Sequence, residues 1–171
     1  GFSGLGSDYT TAPFLFRTTG NGSVTGEWND GDFLAGDVVA HTSNGALPLQ
    51  IRWTAPGTGN ITYSGSIWYA QSPLTRAVDF AISLDGVGLE SGSVSPGQNR
   101  TNSVALTNGT SSMNVTTGDI LELTLTRNSL QSLGAMAGVA WSVEFTPIPE
   151  PSTVSLFGGL GWILAARRRR R

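Results

Sequence analysis

The chain of 171 residues is long enough for one domain with a hydrophobic core and a terminal segment. It contains no cysteine, which excludes disulfides and thiolate metal sites. Five of its ten basic residues are Arg167 to Arg171, so the rest of the chain sets five arginines against twelve carboxylates, a net charge of −7. Nucleic-acid binding needs a basic surface, so this acidic balance disfavours it and we expect no nucleic acid among the partners.

Short apolar or alternating runs, bounded by Gly, Asn, Asp and Pro, predict nine or ten β-strands. The clearest run places Val78, Phe80 and Ile82 on one face of a strand, and the Asp-Gly pair at 85–86 indicates a tight hairpin turn after it. Gly65, inside another run, indicates a bulge or bend. The runs from which these nine or ten strands are predicted lie within residues 12–18, 23–28, 36–42, 47–56, 60–70, 76–86, 87–94, 102–108, 112–115, 118–127 and 138–146.

The spacing of these strands predicts an all-β fold, an antiparallel jelly-roll-like β-sandwich. No stretch before residue 150 shows a helical period, and residues 129–138, with two glycines, are predicted to form a loop. We expect a β-sandwich domain at 1–146, a Pro-rich linker at 147–152, and a short hydrophobic helix with an arginine-rich end at 153–171.

The residues needed for nucleophilic catalysis are scarce, and we expect no enzyme activity. Cysteine and lysine are absent, His41 is the only histidine, and no G-x-S-x-G motif is present. We interpret His41, at a strand end, as a surface or turn histidine. Paired carboxylates could still support glycoside hydrolysis, and a pair facing each other across a cleft would favour that alternative.

The stretch WNDGDFLAGD suggests a calcium hypothesis. Asp30, Asp32 and Asp37 offer hard oxygen ligands, and the loop glycines permit tight wrapping. No glutamate closes the loop as an EF-hand requires, and a solvated polar turn is the alternative interpretation. We therefore expect no cofactor other than a structural calcium ion at these three aspartates.

Aromatic residues provide the candidates for sugar binding, because the C–H faces of sugars stack on flat rings. Trp28, Trp68 and Tyr69 are the candidate platforms. Trp53 and Trp141 alternate in phase with aliphatic residues, so we expect them in the core.

The C-terminal segment combines three kinds of sequence. Prolines at 147, 149 and 151 favour an extended linker. The following fourteen residues, 153–166, carry no charge and would span about 21 Å as a helix, against a hydrocarbon core of ~30 Å. The terminal arginines can snorkel and would stay on the cytoplasmic side, with the body outside. A core helix or a nucleic-acid-binding tail explains this combination less well.

The residues Pro149, Glu150 and Pro151, the apolar run, and the arginines at the end together resemble the PEP-CTERM sorting signal of Gram-negative and related bacteria. The resemblance assigns the sorting role to these residues: Pro149, Glu150, Pro151, Arg167, Arg168, Arg169, Arg170 and Arg171. It implies a precursor that is exported, held transiently in the inner membrane and processed by an exosortase-type membrane protease. The strings IRWTAP at 51–56 and Gly-Asp at 118–119 also resemble jelly-roll modules common among such proteins.

These observations predict an exported protein of the bacterial cell surface or extracellular matrix. Its body is expected to be structural or adhesive. The alternative is a carbohydrate-binding module that recognises exopolysaccharide, and a glycan-acting hydrolase comes third. A cluster of outward aromatic rings would favour the carbohydrate-binding module, and a smooth polar surface would favour the structural module.

Overall fold

The computed structural model describes residues 12–18, 31–45, 47–71, 75–109 and 111–149. Within these ranges the chain is all-β, and its single helical element is a 3₁₀ turn at Arg100–Asn102. None of the described helices could cross a membrane. The strands are β1 Phe14–Arg17, β2 Val38–His41, β3 Leu49–Thr54, β4 Gly59–Tyr69, β5 Val78–Leu84, β6 Val87–Val94, β7 Val104–Thr107, β8 Met113–Val115, β9 Ile120–Arg127 and β10 Met136–Pro147.

These strands form two antiparallel sheets. The six-stranded sheet has the order β1-β2-β10-β4-β7, and β8 pairs with β4. The four-stranded sheet has the order β3-β9-β5-β6. Because β2 pairs with β10 in one sheet while β3 pairs with β9 in the other, the chain wraps around the sandwich as a jelly roll does. The prediction of a jelly-roll β-sandwich is therefore confirmed for the described residues, whereas the predicted strand at 23–28 and the predicted helix at 153–171 lie outside them.

The period-2 alternation of the sequence explains which face of each strand is buried. In β9, Leu121, Leu123 and Leu125 are fully buried while the residues between them lie on the other face. The predicted hairpin turn after β5 is also present. Asp85 and Gly86 have φ values of 48° and 79°, a left-handed pair that an Asp-Gly sequence adopts readily.

The sequence predicts a bulge or bend at Gly65, and the structure shows no bulge there. Strand β4 pairs with β10 without a register shift, and Gly65 lies opposite Trp141. A Cβ atom at this glycine would overlap the carbonyl oxygen of Ala140, so the close approach of β10 explains the glycine. The register shift lies instead between β5 and β6, at Ile82 and Ser83.

The main core fills the space between the two sheets with aliphatic side chains from both. Trp53 and Trp141 pack against this core, as the sequence predicts. At one edge of the sandwich, Glu90 of β6 accepts hydrogen bonds from the Tyr63 hydroxyl at 3.3 Å and from the Thr107 amide at 3.2 Å. The bond from Thr107 links the edge strands β7 and β6 of opposite sheets. Burial together with Glu90 raises the pKa of Tyr63 to about 12.

A second, smaller apolar cluster lies on the outer face of the six-stranded sheet. Trp68, Val39 and Met136 project from three neighbouring strands of that sheet, and Phe33 covers them from above. We call residues 31–37, which carry Phe33, the covering segment. Since a sheet in water normally leaves its outer face polar, this cluster shows that part of the outer face is buried under the chain itself.

The last described strand reaches slightly further than the predicted domain boundary at residue 146. Strand β10 ends at Pro147, and the amide of Ile148 donates a hydrogen bond to the Thr58 carbonyl at 3.0 Å. The first two residues of the predicted linker are thus attached to the sandwich. Of the sorting motif, Pro149 is described, while Glu150, Pro151 and the arginines from 167 to 171 lie outside the described residues.

Candidate functional site

Trp68 is enclosed on both faces of its indole ring. One face lies on Gly138 of the neighbouring strand β10, where a Cβ atom would overlap the ring. The guanidinium carbon of Arg100 lies over the ring, 4.3 Å from a ring centroid. The indole nitrogen donates a hydrogen bond to the Asp32 carbonyl at 2.7 Å. Both faces and the polar edge of this tryptophan are therefore already in contact with protein.

Arg100 connects the 3₁₀ turn to the covering segment through two carboxylates. Its backbone amide donates to Asp32 Oδ2 at 2.7 Å, and its Nε lies 3.5 Å from Asp32 Oδ1. Its Nη2 pairs with Asp37 Oδ2, and its Nη1 lies 3.4 Å from Asp37 Oδ1. Asp37 Oδ2 also accepts from the Leu34 amide at 2.5 Å. We call Arg100, Asp32 and Asp37 the Arg100 clasp, because they hold the covering segment over Trp68.

Two of the three residues predicted to form an aromatic platform, Trp68 and Tyr69, are buried. Trp68 is only 2% exposed and Tyr69 only 4%, so neither ring presents a face to a ligand. The reason for Trp68 is the cover that Arg100 and the covering segment provide, and Tyr69 belongs to the main core. The third candidate, Trp28, lies outside the described residues.

Of the three aspartates predicted to bind calcium, only Asp32 and Asp37 are among the described residues. Asp32 and Asp37 do come together, but they come together around a guanidinium, which already matches their charge. A calcium ion bound by both would have to displace Arg100. Among the described side chains no three carboxylates or histidines are grouped as a metal site, and Asp30 lies outside them.

His41 is buried, not a surface histidine as predicted. It is 2% exposed at the end of β2, and its ring stacks on Phe14 at a centroid distance of 5.1 Å. Burial lowers the pKa of His41 to about 4; a hydrogen bond with Thr42 opposes this shift, and the charge of Arg76 adds to it. The histidine is therefore neutral at physiological pH and acts as a packed ring on the covered side of the sheet.

The outer face of the four-stranded sheet carries an ordered polar network. Glu122 Oε2 accepts from Arg52 Nε at 2.5 Å, and Glu122 Oε1 accepts from Gln50 Nε2 and from the Thr124 hydroxyl, both at 2.8 Å. Arg52 Nη2 in turn donates to Gln50 Oε1 at 2.8 Å. Burial raises the pKa of Glu122, but the hydrogen bonds from Arg52 and its neighbours outweigh that effect and hold it below its ordinary value.

Beside this network, the neighbouring outward side chains of β5 and β6 are small. Ser83 pairs with Glu122, and Ala81 pairs with Thr124 on one side and Ser91 on the other. The result is a row of long polar groups on β3 and β9 next to a low strip on β5 and β6. We call this surface the Glu122 face; its members are Gln50, Arg52, Asp79, Ala81, Ser83, Ser91, Ser93, Glu122, Thr124 and Thr126.

The Glu122 face was missed as a site, although the sequence contains part of the signal. The alternation of β3 and β9 predicts that Arg52 and Glu122 lie on the outer sides of their strands, but it does not predict that they lie opposite each other. Their pairing depends on the register of strands 70 residues apart. No sequence pattern marks Arg100, whose partner Asp32 lies 68 residues away.

Four of the described carboxylates form structural bonds. Asp32 and Asp37 hold Arg100, and Glu122 holds Arg52. Asp119 accepts from the amide and hydroxyl of Thr116, at 2.8 and 2.9 Å, and these bonds lower the pKa of Asp119. Carboxylates held in such bonds are poor candidates for the protonated acid that glycoside hydrolysis needs.

Comparisons with known proteins give no family. No family model matches the chain, and no curated protein matches it. Among solved structures, a CBM51 from Clostridium perfringens GH95 in complex with methyl-galactose is 11% identical, with 81% of this chain and 97% of that chain covered and a TM-score of 0.43. Several other matches are also carbohydrate-binding modules.

Two of the matches are parts of much larger proteins. The insecticidal δ-endotoxin Cry8Ea1 from Bacillus thuringiensis is 13% identical over 64% of this chain, with a TM-score of 0.37, and a ruminal GH26 endo-β-1,4-mannanase is 13% identical over 83%, with a TM-score of 0.38. The chain spans only 20% and 28% of their lengths. Because all these TM-scores are low, the fold assignment rests on the strand order alone.

Proposed function

We propose that the chain is an exported bacterial surface or matrix protein whose sandwich body binds polysaccharide through the Glu122 face, and whose C-terminal segment is a PEP-CTERM-type sorting signal. The observation that carries the binding part is the hydrogen-bonded group of Arg52, Glu122 and Gln50 beside a low strip of small side chains. The sorting part is supported by the order of the tripeptide, the apolar run and the arginines in the sequence.

The chemistry of this face suits a hydroxyl-rich polymer. A guanidinium donates hydrogen bonds to sugar hydroxyls, a carboxylate accepts hydrogen bonds from them, and amide and hydroxyl groups do both. Since Arg52, Gln50 and Glu122 already hold each other in place, ligand binding would sacrifice little side-chain freedom. The low strip along β5 and β6 offers an extended chain a path parallel to the strands, beside these groups.

The low strip provides a direct test, since it can be filled without removing any hydrogen bond. Ala81 is exposed at its centre, and Ala81→Ile adds a stiff, strand-compatible side chain there. Ala140→Ile is the matched control, because Ala140 is exposed on the outer face of the other sheet. We expect the full-length protein to bind polysaccharides on a glycan array, Ala140→Ile to bind as well as wild type, and Ala81→Ile to lose binding. Equal binding by both variants would remove the Glu122 face from the proposal.

The sorting signal is tested in cells, independently of any ligand. We expect replacement of Pro149, Glu150 and Pro151 by alanine to leave the full-length protein in the inner membrane fraction of a host that has an exosortase. The control replaces residues 153–155 by alanine, which keeps the tripeptide, the remainder of the apolar run and the arginines. Normal maturation of the tripeptide variant would contradict the sorting assignment.

A structural or adhesive matrix module without a sugar site is the second candidate. It is favoured by the burial of the aromatic residues: in the described part of the chain, every Phe, Tyr and Trp is buried or half-buried. Sugar sites commonly rely on an exposed ring, so their absence among these residues favours a structural role. A glycan array without any bound sugar, combined with retention of the protein in the matrix, would support this candidate.

A further inference from the structure

The charged residues of the Glu122 face differ in whether an opposite charge is paired with them. Its positive group, Arg52, is paired with Glu122 at 2.5 Å and with Gln50 at 2.8 Å. Its remaining charged residue is Asp79, whose Oδ1 accepts one hydrogen bond from Asn128 Nδ2 at 2.8 Å. With Arg52 neutralised by Glu122, the charge of the face as a whole is that of the Asp79 carboxylate.

Asp79 is surrounded by groups that suit a charged sugar. Its cross-strand neighbours on β9 and β6 are Thr126 and Ser93, and Ala81 follows two residues along the same face. The bond from Asn128 fixes the carboxylate in one orientation. A fixed carboxylate between two hydroxyl groups, next to a low strip, can accept hydrogen bonds from an ammonium group while the hydroxyls bind its sugar ring.

An anionic polymer would find little positive charge nearby. Outside the C-terminal arginines the chain has a net charge of −7. Of the other described arginines, Arg100 is paired with the carboxylates of its clasp, and Arg17, Arg76 and Arg127 are not members of the Glu122 face. Both the local charge and the general charge therefore disfavour polymers rich in uronate or sulfate.

We propose that the Glu122 face selects amino glycans, polymers with free ammonium groups such as deacetylated glucosamine chains, and that Asp79 is the residue that recognises the ammonium group. This inference rests on the proposed polysaccharide-binding function and names the class of polymer. Selectivity comes from a single charged hydrogen bond at each bound sugar, whereas the hydroxyl contacts are shared with neutral glycans.

The experiment compares two ligands that differ only in charge. Binding of the full-length protein to a fully deacetylated glucosamine hexamer and to its N-acetylated counterpart is measured by calorimetry, in mildly acidic buffer where the free amines are protonated. Asp79→Asn removes the charge but keeps the shape and the acceptor for Asn128. Glu144→Gln removes one charge from the exposed outer face of the other sheet, and is the control for a general charge effect.

We expect wild type and Glu144→Gln to bind the deacetylated hexamer more tightly than the acetylated one. Asp79→Asn should lose roughly fivefold in affinity for the deacetylated hexamer and none for the acetylated one, since an exposed charge pair contributes up to about 1 kcal/mol. If both hexamers bind equally, or if the two variants lose affinity equally, the amino-glycan inference is overturned and polysaccharide binding stands. If neither hexamer binds and the glycan array is also blank, the proposed function itself fails.

Discussion

The two outer faces of the sandwich differ in burial: part of one is covered by the chain, and the other is exposed. On the six-stranded sheet, Trp68 and Met136 are buried under the covering segment, which the Arg100 clasp holds in place. On the four-stranded sheet, Arg52 and Glu122 remain at the surface, with side chains 54% and 17% exposed. Both faces arise from the same alternation along β-strands, so alternation alone does not decide whether an outward residue meets water.

What decides the difference is whether a chain segment covers the sheet. Apolar outward residues on β2, β4 and β10 create a surface that must be buried, and Phe33 buries it. The polar outward residues of β3 and β9 need no cover because they satisfy one another with hydrogen bonds. The covered face therefore contributes to stability, and the open face is available for a ligand.

The largest effect is expected from the contact between Trp68 and Gly138. In Gly138→Ala the new methyl group would overlap the indole ring and force Trp68 out of the second cluster, so the free energy of unfolding should fall by about 3 kcal/mol. Gly88→Ala is the control, since a Cβ atom at Gly88 meets nothing within 4 Å. Urea denaturation measures both. Equal stability of the two variants would show that Trp68 does not lie against β10.

A pH effect should also come from the covered side of the sheet. The pKa of His41 is about 4 in the folded protein, against an ordinary value of 6.5. Its contribution to stability is complete above pH 6.5 and is lost as pH falls, because the unfolded chain then binds a proton that the folded chain refuses. Between about pH 7 and pH 5 the loss should reach roughly 2 kcal/mol.

His41→Gln isolates this effect, since glutamine stays neutral throughout. Its free energy of unfolding, measured by urea denaturation at a series of pH values, should depend on pH less steeply than that of wild type over the same interval. Most carboxylates titrate below this interval and contribute little to it. Identical slopes for the two proteins would mean that His41 is accessible to protons in the folded state.

The Arg100 clasp should give a smaller effect, because its groups are partly exposed. Arg100→Met keeps the aliphatic contact with Trp68 but leaves Asp32 and Asp37 without their shared cation, and we expect a loss of about 1.5 kcal/mol. The hydrogen bond from the Trp68 indole to Asp32 gives a local measurement. Exchange of that indole hydrogen with solvent, followed by NMR, should become roughly tenfold faster.

Arg52→Met is the matched control for the clasp. It also removes an arginine from a carboxylate, but on the open face, so the Trp68 indole hydrogen should exchange at the wild-type rate. Faster exchange in both variants would indicate a general loss of stability. Unchanged exchange in Arg100→Met would show that the covering segment stays closed without the clasp.

Much of the fold could be predicted because period-2 alternation is a local property. Leu121, Leu123 and Leu125 point inward wherever β9 is placed, and the Asp-Gly pair at 85–86 makes its turn from two residues alone. The bulge expected at Gly65 is absent because the cause of that glycine is not local. The need for a glycine there comes from β10, which approaches it from a distant part of the sequence.

The candidate site was predicted less well, because it depends on pairs of distant residues. Nothing near Trp68 in the sequence reveals that Arg100 covers one face of its ring and Gly138 the other. Asp32 and Asp37 were correctly grouped, but the sequence does not show that an arginine is their partner. Sequence patterns identified residues that are chemically able to bind a sugar or a metal. Whether those residues are buried, and which residues they contact, is decided by the folded chain.

The smallest effect on stability is expected on the open face, and it would show that this face contributes less to stability than the covered face. Glu122→Gln keeps the shape of the network and removes one charge from an exposed ion pair, so stability at neutral pH should fall by less than about 1 kcal/mol. Hydrogen bonds lower the pKa of Glu122 in the folded state, so this difference should disappear as pH falls below the ordinary glutamate range and the carboxylate of wild type is protonated. A larger loss, comparable with that of Gly138→Ala, would mean that the Glu122 face is a second structural region and not a surface left free for a ligand.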